Sequence, residues 1–193
     1  MFPSHDPGGE TGGQYTFLTS ACILNIHSSA SSDALTSVGL RTMKIQGLDQ
    51  TFTAVEEIVS LSGPIRVQTS NKYLRTNFMT GLTAGVSATN VGVITAQTAT
   101  GSVIQSQMNA NEGMSQNGVY TVPLNHTLFV TRVEFNIGKD GGGGSPEVEF
   151  KAFARSGAFE PNGVFLQLFD KKLDETTANE LDVDVPFSRA IVA

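Results

Sequence analysis

Between Val55 and Ala84, VEEIVSLSGPIRVQTSNKYLRTNFMTGLTA, the side chains change character with a period of two. Val55, Val59 and Leu61 fall on one parity, Gly63-Pro64 interrupts the run, and Ile65-Arg66-Val67 resumes it. Leu74, Thr76, Phe78, Thr80, Leu82 and Ala84 then alternate against Tyr73, Arg75, Asn77, Met79, Gly81 and Thr83. Successive side chains of an extended strand point to opposite faces, so this spacing predicts three strands, each burying one row and wetting the other. Nothing in the stretch arranges a nucleophile, a base or a metal cage. It reads as a framework, and it points to a protein that works by holding a shape.

The same period recurs along the chain. Tyr15 to His27 is an apolar-rich strand candidate, followed by a polar turn at Ser28 to Asp33. In Val38 to Gly47, Val38 and Leu40 lie on one parity and Met43 and Ile45 on the other, which predicts a bulge near Arg41-Thr42. Further strands are expected at Val91–Ala96, Val103–Met108, Val119–Val122, Thr127–Ile137, Pro146–Arg155, Val164–Phe169 and Leu181–Val192. Asn109–Asn117 reads as a long loop and Lys171–Glu180 as a weak helical turn. Along Thr127–Ile137 the pattern predicts Phe129, Val133 and Phe135 buried, with Arg132 and Glu134 facing out. Roughly eleven short strands separated by turn signals predict an all-β fold, specifically a jelly-roll-like β-sandwich. Met1–Gln14 holds four glycines and two prolines. The expected organisation is therefore a flexible N-terminal arm over 1–14 and a single sandwich domain over 15–193.

Composition narrows the function. Apolar residues make up 39% of the chain, enough for a core, and charged residues only 16%. The net charge of −6, with no basic stripe, argues against a nucleic-acid partner. No apolar run approaches the ~18 residues of a membrane span, and the N-terminus lacks the basic and apolar regions of a signal peptide. Cys22 is the only cysteine, so no internal disulfide can form.

Candidate chemistry is sparse. His5, His27 and His126 stand far apart, without the clustered spacing of zinc ligands. No nucleophile elbow surrounds any serine. Asp182 and Asp184 share a strand face, with Asp170, Asp174 and Glu175 nearby in sequence. They lack the glycine-punctuated loop of a calcium site and read as a solvated strand edge that resists unwanted pairing. Gly141–Gly144 precedes a strand rather than a helix and carries no Lys-Ser/Thr, so it reads as a hairpin tip rather than a phosphate loop. Cys22, in an apolar strand, is expected to act as a small hydrophobe. No catalytic, cofactor-binding or metal-binding residue is assigned, and the chain is read as a non-enzyme without a cofactor.

Several separated motifs carry a family resemblance. Arg41-Thr-Met-Lys-Ile-Gln-Gly-Leu-Asp49 is followed by Glu57-Ile-Val-Ser-Leu-Ser-Gly63 and Thr69-Ser-Asn-Lys-Tyr-Leu-Arg75. Ala84-Gly85, Thr89-Asn-Val-Gly-Val-Ile-Thr95 and Tyr120-Thr-Val-Pro123 complete the set. In this order the chain resembles, over Thr19 to Val192, a family of β-rich virion proteins of tailed bacteriophages, common in marine and cyanobacterial phages and found in some large algal viruses. The resemblance implies a structural role in the virion and no catalytic residues. It departs from the family at the glycine run 141–144 and at Ala193, where relatives continue with further strand.

The expected role is a capsid decoration or cement protein. Its partners are the major capsid protein or tail proteins and its own copies, in a symmetric homo-oligomer touching through the arm and at least one sheet edge. A tail or baseplate component and a receptor- or carbohydrate-binding module are the alternatives. The absence of Trp and the presence of only three Tyr count against sugar stacking.

Overall fold

The computed structural model describes residues 15–138, 147–155, 165–174 and 180–192, with side chains described through Phe129. The arm 1–14, the glycine run 141–144 and Glu175 fall outside them. The fold is all-β, and no helix occurs among the described residues. The strands are β1 (Leu24–Ser28), β2 (Leu40–Leu48), β3 (Ala54–Ser60), β4 (Val67–Gln68), β5 (Arg75–Ala84), β6 (Ile94–Thr98) and β7 (Ile104–Met108). After them come β8 (Thr127–Gly138), β9 (Glu147–Arg155), β10 (Phe165–Asp174) and β11 (Glu180–Val192).

The chain divides into two compact units, Met1–Leu124 and Asn125–Ala193, where the sequence pattern led us to expect one domain over 15–193. The ladders follow the same division. β1 to β7 pair among themselves, β8 pairs with β11, and β9 pairs with β10.

The first unit is sandwich-like. One sheet has the order β4-β1-β6-β7 and the other β3-β2-β5, all neighbours antiparallel. Leu24 and Ile26 of β1, Ile94 and Ala96 of β6 and Met108 of β7 form a single buried cluster with Met43 and Ile45 of β2, Val59 of β3 and Met79 of β5. Each strand contributes alternate residues, as a pleated surface with one buried face requires. The expected bulge is present: the β2–β5 register shifts between Leu40 and Thr42 and again between Thr42 and Met43. That shift lets Leu40, Met43 and Ile45 all be buried despite their mixed parity.

Other expectations required correction. Only the last part of Tyr15–His27 is strand; Cys22 makes a lone bridge to Tyr73. Before it, Arg75 holds the chain by donating from Nη1 to the Leu18 carbonyl at 2.9 Å and lying over the Phe17 ring at 5.1 Å. In β5, where alternation alone did not say which row is buried, the row that enters the core is that of Met79. Register decides this, because Met79 lies opposite Ile45 while Phe78 and Thr80 lie opposite Gln46 and Lys44.

Residues 119–122 are not a strand. Residues 113–115 instead lie beside β5, with Gly81 N donating to Gly113 O at 2.8 Å and Ser115 N to Met79 O at 2.9 Å. The chain beyond is tied by the Asn77 amide, which donates to the Thr121 carbonyl (2.8 Å) and accepts from Thr121 N (3.0 Å). Residues 113–124 thus form a strap along the outer edge of β5. Lys171–Asp174 belongs to strand β10 rather than a helical turn, because each residue there pairs across to β9.

In the second unit β8 matches its expected span, and Leu181, Val183 and Val185 of β11 stand opposite Ile137, Phe135 and Val133. Phe129, expected in a core, is 69% exposed. A period of two shows which side chains share a face; it does not show whether another layer covers that face at this end of the strand. The side chains of Arg132, Val133, Glu134 and Phe135 lie outside those described.

Tyr73, fully buried, donates its hydroxyl to Glu57 Oε1 at 3.0 Å, and the same carboxylate accepts from Ser70 N and Asn71 N. Burial, and then the Glu57 charge, pushes the phenol well above its ordinary value. A raised folded value favours the protonated phenol in the fold. Its contribution is therefore complete below about pH 10, the unfolded value, and is lost as pH rises toward the folded one. Urea midpoints should fall on the alkaline side of about pH 10, with Tyr73→Phe flattening that limb. An equally steep alkaline limb in the variant would contradict the assignment.

Candidate functional site

Asp33 organises one end of the first unit. Its side chain is fully buried, and both carboxylate oxygens are occupied. Oδ1 accepts from Leu40 N and Val91 N, each at 2.9 Å; Oδ2 accepts from Gly92 N at 2.8 Å and from Ser28 Oγ at 2.6 Å. The Asp33 carbonyl also accepts from Gly63 N at 2.7 Å. One residue therefore ties the β1–β2, β3–β4 and β5–β6 connections together.

Glycine is required where these connections meet. A Cβ on Gly39 would collide with Asp33 Oδ1, and one on Gly92 would come within 2.5 Å of Ala30 N. Asn90, also fully buried, extends the knot to a fourth loop. It donates to the carbonyls of Gly92 and Asn109, both at 2.7 Å, and accepts from Gly113 N at 2.9 Å. Buried polar groups that are fully paired in this way rigidify what they join.

The knot carries exposed aliphatic side chains. Val86 is 90% exposed and Leu35 54%, and Val38 and Val91 are also exposed. Their backbones belong to the tied loops: Leu35 N bonds to Leu61 O, Ser87 N to Val38 O, and Val91 N to Asp33 Oδ1. Across 29–39 and 85–93 the only charged residue is Asp33, which is inside. The result is a rigid, aliphatic-tipped end on an acidic chain, bordered by Arg41, whose Nε donates to the Ser37 carbonyl, and by the exposed Glu112 of the fourth loop. Such a surface suits contact with another apolar surface and no acid–base chemistry.

The residues weighed from the sequence lie elsewhere. His27, on β1, sits in the row facing away from the core, opposite Thr95. Its Nδ1 is buried without a hydrogen-bond partner, and burial, aided by the Arg66 charge, pushes its pKa down. His126 is exposed in the second unit, and His5 lies in the undescribed arm. Cys22 is half-buried rather than fully buried and packs beside the core, and burial pushes its thiol pKa up.

Asp170 and Asp174 fall on β10 and Asp182 and Asp184 on β11, strands of different ladders; Asp184 stands opposite Glu134. Among the described residues no three His, Cys, Asp or Glu side chains gather to hold a metal ion, and no helix is long and apolar enough to cross a membrane. In a recess lined by Ala21, Asp49, Gln50, Val55, Asn71 and Lys72, Gln50 and Asp49 are engaged locally. Gln50 Oε1 accepts from Ala21 N, and Asp49 accepts from Thr51 N and Thr53 N. Burial nudges the Asp49 carboxyl upward, but the hydrogen bonds from Thr51 and Thr53 outweigh it and hold the pKa low.

Sequence reasoning took Ser28–Asp33 for an ordinary turn. The one signal of the knot was an acidic residue in a stretch otherwise made of Ser and Ala. Compared with protein-family models, with curated proteins and with solved structures, the chain returns no match.

Proposed function

We propose that this chain is a non-enzymatic structural protein of a virus particle, a capsid decoration or cement protein that binds the shell and its own copies. The observation that carries the contact role is the rigid loop end bearing the exposed aliphatic side chains of Leu35, Val38, Val86 and Val91. The particle setting rests on the resemblance of the motifs between Arg41 and Pro123 to phage virion proteins, with a jelly-roll-like sandwich as the expected finer arrangement. On a chain of net charge −6, like copies repel overall, and an aliphatic end poor in charge is a face on which they can meet. Many weak contacts repeated over a lattice supply the avidity. A tail or baseplate position would use the same surface.

A receptor- or glycan-binding role is the second reading. The row of the four-stranded sheet that faces away from the core is polar, with Asn25, Thr95, Gln97 and Gln107 beside His27, although Asn25, Thr95 and Gln97 are themselves buried. Gln97 Nε2, like His27 Nδ1, is buried without a partner.

The test is the double variant Leu35→Asp/Val86→Asp. Both positions are exposed, so the fold should survive with a change within about 0.5 kcal/mol per site. Co-sedimentation with particles stripped of this protein should weaken roughly a hundredfold or more, because each carboxylate would be buried unpaired against the partner. Undiminished binding by a folded double variant would exclude the loop end as the contact. Glycan capture by that variant would favour the second reading.

A further inference from the structure

Asn117 joins the two sheets of the first unit, and the residue after it is glycine. Its Oδ1 accepts from Ser106 Oγ on β7 at 2.9 Å. Its Nδ2 donates to two carbonyls of β5, Thr76 at 3.3 Å and Asn77 at 3.1 Å. Ser106 and Thr76 are themselves buried. Beyond Ser115, the strap is seated through two side-chain amides, those of Asn117 and Asn77, until Leu124 N reaches the Phe52 carbonyl at 2.9 Å.

Asn-Gly is also the dipeptide in which a carboxamide is most open to its own backbone, because glycine has no Cβ to obstruct the approach. In that reaction the Gly118 nitrogen bonds to Asn117 Cγ, loses its proton, and Nδ2 departs as ammonia, closing a succinimide. Water then opens the ring at either carbonyl and leaves Asp or isoaspartate. One water is consumed and one ammonia released, with no oxidant or cofactor involved.

We propose that Asn117-Gly118 is a latent deamidation site, closed while the strap is seated on β5 and β7 and open once it lifts. In the seated strap three hydrogen bonds hold the Asn117 amide, so turning Cγ onto the Gly118 nitrogen works against them. The leaving group is itself held by two carbonyls. After reaction the donor is gone: a carboxylate at 117 faces the carbonyl oxygens of Thr76 and Asn77 with no proton to offer. Isoaspartate further displaces the strap by adding a methylene to the backbone. A reversible opening thus becomes permanent and leaves the Thr76–Asn77 end of the β5 edge, beyond the part covered by residues 113–115, free to pair with another strand. The inference stands independently of the proposed role in a particle.

The experiment compares the intact protein with the peptide Gly113–Thr121 in one neutral buffer. Peptide mapping follows Asp and isoaspartate at 117, and hydrogen exchange on the same samples reports whether the strap is seated. Deamidation should be roughly tenfold or more slower in the protein, since only the opened fraction reacts, and the two rates should converge in denaturing urea. Ser106→Ala, which removes one of the three bonds, should speed the reaction in folded protein several-fold; if it fails to fold, the urea comparison decides. Asn117→Asp should exchange the amides of 116–122 about tenfold faster than the parent protein. Equal rates in folded protein and peptide would overturn the closed site. Unchanged strap exchange in Asn117→Asp would overturn the permanent opening.

Discussion

Replacing Asp33 by Ala should lower the stability of the first unit by about 4 kcal/mol or more, placing it in the rare tail of single-site effects. The buried carboxylate receives three backbone N–H groups and one hydroxyl. Alanine leaves Leu40 N, Val91 N and Gly92 N without an acceptor in a site closed to water. Each unsatisfied donor costs about 1–3 kcal/mol, more when the lost partner is charged. Partial collapse of the loops keeps the total below the simple sum.

Asp33→Asn is the sharper control. It preserves shape but puts an amide NH2 where an oxygen accepted, so one backbone N–H meets a donor, and about 2–3 kcal/mol is expected. Urea unfolding gives both values, and a melting temperature lowered by roughly 10 °C or more should accompany the alanine variant. A loss below about 1 kcal/mol for Asp33→Ala would mean that water satisfies these loops and that the knot is not closed.

The second large effect contrasts two isoleucines on paired strands. Ile45 of β2 is fully buried and belongs to the central cluster; Ile58 of β3, opposite Lys44, is 65% exposed on the outer face of the same sheet. Ile45→Ala should cost about 3–4 kcal/mol, through lost transfer energy and a cavity that the two sheets cannot fully close. Ile58→Ala should stay within about 0.5 kcal/mol. The same chemical change on neighbouring strands therefore reports directly on which face is inside. Comparable losses at the two positions would mean that a further layer covers the outer face.

Much of the first unit was legible because a strand's side-chain period is a local property. The bulge near Arg41-Thr42 could be inferred from parity alone, since Leu40, Met43 and Ile45 reach one core only if the register slips. Strands β6, β7 and β8 lie within a few residues of their expected spans for the same reason. Parity did not choose a face where apolar side chains occupied both rows. In β5 both rows carry apolar residues, and pairing with β2 placed Met79 inside. Phe129 had the right pattern but no covering layer at its position.

The candidate surface and the strap were less visible. Nothing near Asp33 in sequence announces that Leu40, Val91 and Gly92 will converge on it. Asn117 likewise resembles any polar loop residue until β5 and β7 lie on either side of it. A side-chain amide or carboxylate can pair with any backbone group the fold brings near, so its partner is not encoded in its neighbours.

By itself, then, the sequence determined an all-β chain, the approximate spans of most of its strands and the place of one bulge, because backbone geometry ties these to a period of two. Tertiary structure alone decided which strands became neighbours, which row of β5 faced the core and how the chain divided into two units. It also decided that one buried aspartate would hold an aliphatic-tipped end in shape. Those outcomes depend on burial and hydrogen bonding between segments far apart in the chain, where the identity of a residue constrains what it can accept or donate but not what it will meet.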